Sequence, residues 1–202
     1  MPRAERERQM IAVAEEMFAD RGYQAASMDE IAERVGVSKP MLYEYFGSKE
    51  GLFVACIRQA RAELAAVTTR SITGVTSPED ALRGGLVAFF EFADSHRRAW
   101  ELIRREAAVA GPAAVDEIEA IRQEQSAIDV ALMAAFLPDV PRRELEAAAE
   151  IIVGACERLA TWYVQQDGDD PVTAKQAAEY VMNLVWYGLR SRLDRRKRAQ
   201  FG

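Results

Sequence analysis

The chain has 202 residues, enough for one or two domains with a real core. Half of it is hydrophobic and Gly and Pro are sparse, a balance that favours helix; Cys56 and Cys156 are too few for a disulfide framework and are expected in the core. No apolar run reaches the length of a membrane span and no secretory signal opens the chain, so the expectation is a cytoplasmic protein with no membrane partner. The formal net charge is −6, and the first fifty residues carry seven Lys/Arg against ten Asp/Glu. That balance argues mildly against nucleic-acid binding. Any contact with DNA has to depend on where the cations are presented, with Glu15, Glu16 and Asp20 turned from the phosphates.

Residues 3–21 read as a first helix, with Ile11, Ala14, Met17 and Phe18 at helical spacing and Gly22 as its end. Arg3, Arg6 and Arg8 either solvate a frayed helix end or reach phosphates. Ser27 and Glu30 have the spacing of a capping box, in which each side chain satisfies a backbone donor at the other position. Met28, Ile31, Ala32 and Val35 continue that helix, and Gly36 stops it where a left-handed backbone is needed. Ser38 caps the next helix, Pro40 lies in its first turn, Leu42 and Phe46 face inward, and Gly47 closes it. Ser48 starts a third helix that continues to about residue 69. Its Leu52, Phe53 and Ile57 belong to a small N-terminal core, and Leu64 and Val67 to a larger part. Two short helices joined at a glycine form a helix-turn-helix. The second helix of such a pair enters the major groove N-terminal end first. Lys39, Pro40 and Met41 occupy that end. Lys39 can donate to guanine or to phosphate, and Tyr43, Tyr45 and Lys49 have groups suited to phosphate. With Ser27 and Ser38, these residues are the expected DNA contacts.

Ser71 to Ser77 reads as a polar loop, followed by a well-capped helix from Pro78 to about Ser95 with Leu82, Leu86, Phe89, Phe90 and Phe92. Residues 97–110 form another, with Trp100 and Ile103 inward and Arg97, Arg98, Arg104 and Arg105 outward. His96, the only histidine, sits at the joint as a solvated loop residue. Gly111-Pro112 breaks the chain before a long helix at about 113–136, in which Glu124, Gln125 and Asp129 are polar among Ile118, Ile121, Ile128, Leu132 and Phe136. Helices at about 142–166 and 172–193 are apolar on more than one face. A helix with two apolar faces must bury both. Either both are central core helices, or a four-helix bundle between two copies covers them, through Leu145, Ile152, Leu159, Val181, Leu184, Val185, Trp186 and Leu189. The basic tail after it reads as a solvated helix end.

The stretch from Phe18 to Phe53 resembles the DNA-binding motif of the tetracycline-repressor (TetR) family of bacterial regulators. The matching residues are Phe18 with Arg21-Gly22-Tyr23, Asp29-Glu30-Ile31-Ala32, Gly36-Val37-Ser38-Lys39-Pro40, Leu42-Tyr43-Glu44-Tyr45-Phe46, Ser48-Lys49-Glu50 and Leu52-Phe53. Met41 departs from the small residue often found at its position in that family. The resemblance implies an all-α fold in which residues 1–50 form a three-helix helix-turn-helix domain and residues 51–202 a larger helical domain for effector binding and dimerisation. It further implies a homodimeric repressor that binds palindromic double-stranded operator DNA and is released by a small effector. It also implies that the helix from Ser48 joins the two parts as a hinge. The wall candidates for the effector are Phe89, Phe92, Trp100, Ile103, Leu132, Met133, Phe136 and Trp162, whose aromatic content points to an apolar or aromatic ligand. Two other classes were weighed. An enzyme would need a site, and no metal-ligand spacing, phosphate loop or nucleophile elbow is present, so neither cofactor nor metal is expected. A helical adaptor would use the N-terminal motif to bind protein instead of DNA.

Overall fold

Glycine and proline punctuate the chain into helices. The computed structural model describes residues 2–166 and 171–186, with the backbone alone at 102–105 and 107. The helices in order are α1 (Arg3–Ala25), α2 (Met28–Val35), α3 (Lys39–Phe46), α4 (Lys49–Ile72), α5 (Pro78–Ser95), α6 (Arg97–Ala110), α7 (Pro112–Phe136) and α8 (Arg142–Val164). Residues 174–186 are helical as well and are called α9 here; Leu189 and the basic tail lie outside the described residues. The fold is all-α, with no strand among the described residues. No helix among them is long and apolar enough to cross a membrane.

The chain forms two compact units, one from Met1–Glu63 with His96–Ile121, the other from Leu64–Ser95 with the described part of Arg122–Gly202. α4 and α7 each contribute residues to both.

In the first unit α1 packs on α6 and α2, and α2 on α3. α1 leaves helical geometry at Gly22, which brings Tyr23 back onto Phe18 with ring centroids 5.7 Å apart. Phe53 of α4 meets both rings edge-on, at 5.3 Å from Phe18 and 5.2 Å from Tyr23. Such edge-to-face contacts add about 0.5–1.5 kcal/mol each beyond the area they bury. Met10, Ile31, Leu42, Leu52 and Ile57 complete this core with no exposed surface. Glu117 of α7 is buried and takes Arg58 Nε and Arg61 Nη1 of α4, both at 2.8 Å. Burial alone would raise its carboxyl, but the two guanidinium groups outweigh that and hold it below the usual range.

The second unit is built around α5 and α8, which pack on each other. Leu82, Leu86, Phe90 and Phe92 are buried on α5, and Phe90 meets Tyr163 of α8 edge-on at 5.9 Å. α7 is tied to α8 by polar bonds: Arg122 donates twice to Glu157 at 3.0 and 2.8 Å, and Ser126 Oγ to Glu150 at 2.7 Å.

Several local expectations change. The stretch 71–77 is not all loop, because α4 runs to Ile72 and Ser71 Oγ donates back to the Thr68 carbonyl at 2.7 Å. The capping box is only half formed. Ser27 Oγ accepts from Asp29 N at 3.2 Å, while Glu30 is drawn to Arg21 Nη1 at 2.7 Å. A charge-assisted bond to a guanidinium outcompetes a neutral backbone amide. His96 is half-buried, with Nε2 3.1 Å from Glu63 Oε2, rather than a solvated loop residue. The charged head of α1 is helical from Arg3, and Arg3 lies 4.8 Å above the Tyr45 ring, which a frayed end would not do.

Gly51, in the first turn of α4, faces the Phe46 carbonyl so closely that a Cβ there would overlap it. A backbone carbonyl cannot rotate aside. Gly51→Ala should therefore destabilise the fold by about 1–3 kcal/mol, the usual range for an overpacked site. Chemical denaturation measures this; a midpoint equal to wild type would mean that α3 and α4 are joined more loosely than described.

Candidate nucleic-acid interface

The α2–α3 pair is a helix-turn-helix in which the chain itself dictates the corner. Gly36 takes φ 80°, a left-handed value that an L side chain adopts only with strain, and its N–H closes α2 on the carbonyls of Ala32 and Glu33. Leu42 alone anchors α3 fully in the core. Lys39, Pro40, Tyr43 and Glu44 of α3 are exposed, with Ser38 before them, while Met41, Tyr45 and Phe46 are half-buried. Ser38 is at the N-cap but makes no side-chain capping bond; its carbonyl takes the Met41 and Leu42 N–H groups at 3.0 and 3.4 Å.

The eight expected DNA contacts separate into groups. Ser38, Lys39, Pro40 and Tyr43 share the exposed N-terminal half of α3. Ser27 is half-buried and serves α2 as its cap. Met41 and Tyr45 turn back toward α1, where Arg6 Nη1 reaches the Met41 sulfur at 3.9 Å and Arg3 covers Tyr45. Lys49 is half-buried, donates to the Gln24 carbonyl at 3.1 Å and lies 4.7 Å over the Tyr23 ring. Burial pushes its ammonium below the ordinary lysine value. It straps α4 to the end of α1 instead of standing clear on the reading face.

The acidic balance of the N-terminal part is resolved locally. Lys39 Nζ sits 2.8 Å from Asp29 Oδ2, Arg34 pairs with Glu16 at 2.9 Å, Arg21 with Glu30 at 2.7 Å, and Arg98 with Asp20 at 2.9 Å. These pairs are exposed, and such pairs are worth only about 0–1 kcal/mol. A phosphate or a guanine edge can therefore take Lys39 from Asp29 at small cost. The Asp29 bond and its charge raise the lysine's pKa, so Lys39 is fully cationic.

In the second unit, Met133, Leu132 and Phe136 meet around a cavity of about 30 Å³ that Leu82, Leu137, Ile152, Asp129 and Trp186 also line. Phe92 is buried core and Phe89 is half-buried, and neither lines that cavity. Trp100 belongs to the other unit, the Ile103 side chain lies outside the described residues, and Trp162 is 46% exposed on α8. Among the expected interface residues, Leu145, Ile152 and Val181 are buried inside their own unit and have no surface to offer a second copy. Leu159, Val185 and Trp186 are half-buried, Leu184 is 83% exposed, and Leu189 lies outside the described residues. Sequence periodicity missed Ile151, at 68% exposed, and Tyr180, because a helix with apolar residues nearly all round does not say which arc its own unit covers.

The description "Bacterial regulatory proteins, tetR family" matches residues 10–56, and "Tetracyclin repressor-like, C-terminal domain" matches residues 78–188. The chain belongs to the tetR family. The FasR transcriptional activator of Mycolicibacterium smegmatis is 29% identical over 189 residues, 94% of this chain and 85% of the relative. The KstR2 transcriptional repressor of the same species is 26% identical over 194 residues, 92% and 91% of the two chains. A crystallised TetR-like regulator from Rhodococcus sp. RHA1 is 33% identical, superposes with a TM-score of 0.72, and is matched over 94% of this chain and 98% of its own. This tetR-family chain is thus a helix-turn-helix transcriptional regulator and not an enzyme.

Asp129 was visible in the sequence only as a polar residue in mid-helix. Part of the residue is open, yet its carboxyl lies deep among apolar groups, and burial pushes it up to about 7. The oxygens carry the charge, so their surroundings decide the titration. Between about pH 4 and 7 the folded chain holds a proton that an unfolded aspartate has released, so stability falls as pH rises through that window. Asp129→Asn removes this penalty. Its melting temperature should exceed wild type at pH 8, by the equivalent of roughly 2–4 kcal/mol, with the gap closing toward pH 4. Parallel melting curves across pH would refute the assignment.

Proposed function

We propose that this regulator binds palindromic operator DNA as a homodimer, in the manner of a repressor, and is released by a small apolar or aromatic effector. Residues 1–50 read the DNA, and residues 51–202 hold the effector and the dimer contact. The observation that carries the reading is the open N-terminal half of α3. Ser38, Lys39, Pro40 and Tyr43 stand exposed on a helix whose other side is anchored by Leu42. Support for the dimer comes from Ile151, Trp162, Tyr180 and Leu184, large apolar residues left exposed on α8 and α9. A two-fold pair of readers matches two half-sites one helical turn apart. An activator is the second reading, favoured by the FasR match. Effector-controlled operator binding serves either sign. A cytoplasmic location belongs to the same reading.

Lys39→Ala should weaken specific operator binding by about 1–3 kcal/mol if the ammonium reaches a base, and Tyr43→Phe should weaken binding to all sequences evenly. Footprinting and gel shifts over a salt series separate the two, and wild-type affinity in both variants would move the reading face elsewhere.

Leu184→Glu tests the dimer. Leu184 has almost no contact inside its own unit, so the monomer fold should survive, whereas a charge in an apolar seam between copies is costly. Sedimentation should show folded monomer with operator binding much reduced. A dimer persisting at low micromolar concentration would place the contact on another surface.

A further inference from the structure

The cavity in the second unit is lined by Pro78, Leu82, Leu132, Met133, Phe136, Leu137, Ile152 and Trp186 around a single carboxyl, that of Asp129. None of these other lining residues carries a charge. Among the described residues Asp129 has neither a hydrogen bond nor an ion pair; burial is the one influence acting on its carboxyl. Cys156 of α8 is the other titratable group near it. Burial, and then the Asp129 charge, push that thiol far above its usual value, so it is neutral. A desolvated carboxylate without a cation is costly, and a bound cation would restore what water no longer supplies.

The cavity of about 30 Å³ suits one water-sized group. Leu132, Phe136 and Trp186 line the same cavity and are only half-buried, so part of their apolar surface remains open beside it. From this geometry we propose that the cavity takes an organic ammonium. The cationic head pairs with Asp129, and the apolar body lies on Leu132, Phe136 and Trp186. A carboxylate ligand would meet an acid and no cation, and a neutral alcohol would gain one hydrogen bond without charge. The inference rests on the reading of residues 51–202 as effector-binding and changes the ligand from a purely apolar one to one whose apolar body carries a cationic head.

Three six-carbon probes differing only in the head test it: hexylamine, 1-hexanol and hexanoate, titrated calorimetrically into the full chain at pH 7. Hexylamine should bind at least tenfold more tightly than the other two. It should release about half a proton per site, read from two buffers of different ionisation heat, because a carboxyl near half-protonated becomes fully ionised. In Asp129→Asn the preference and the proton release should both vanish. Equal affinity for hexylamine and hexanol, an undiminished preference in the variant, or no binding of any probe at millimolar concentration would overturn the inference. The wild-type comparison requires no variant, so a folding defect in Asp129→Asn leaves the test intact. Operator gel shifts with the same probes separate the two levels. Asp129-dependent hexylamine binding that leaves operator affinity unchanged upholds the cavity assignment and sinks effector release by this class. Release by an unrelated compound, with the amine series failing to bind, does the reverse.

Discussion

Phe18, Tyr23 and Phe53 close on one another where the end of α1 meets the start of α4. α2 and α3 are eight residues each, too short to persist alone, since helix nucleation is unfavourable and short helices need tertiary packing. They survive because Ile31 and Leu42 enter the core that those rings begin. Lys49 strengthens the same corner by bonding the Gln24 carbonyl and covering Tyr23. The position of the exposed α3 residues follows from this packing. A residue that looks like a phosphate ligand by type can therefore serve the scaffold instead.

Charge in the first unit is arranged pairwise. Glu16, Asp20 and Glu30 each hold an arginine near the surface, and Asp29 holds Lys39 itself. Such pairs act as weak placeholders. Exposed pairs of this kind are worth so little that a stronger anion can displace the acid at small cost. Glu117 differs, being buried between two arginines of α4, and it belongs to the fold.

The second unit shows the opposite economy. Its core is apolar rings and aliphatics, and Asp129 interrupts it without a described partner. A group that costs stability and supports no packing is where ligand chemistry is expected. α8 and α9 carry large apolar residues outward at Ile151, Trp162, Tyr180 and Leu184.

Local chemistry was legible from the sequence alone. Helix ends at Gly36, Gly47, Pro78 and Pro112 follow from backbone constraints that act over a few residues, as does the helix-turn-helix of α2 and α3. The all-α class and the family follow from the same short-range signals. What sequence could not decide was direction and partnership. Lys49, Tyr45 and Met41 share residue types with the exposed residues of α3, and only the approach of α1 gave them partners within the chain. Leu145, Ile152 and Val181 fit the apolar pattern of an interface as well as Leu184 does, yet their own unit buries them. The carboxyl of Asp129 became singular only when helices distant in sequence closed apolar side chains around it. Caps and turns depend on neighbours along the chain, whereas burial and pairing depend on neighbours across it, and the second kind exists only in the tertiary structure.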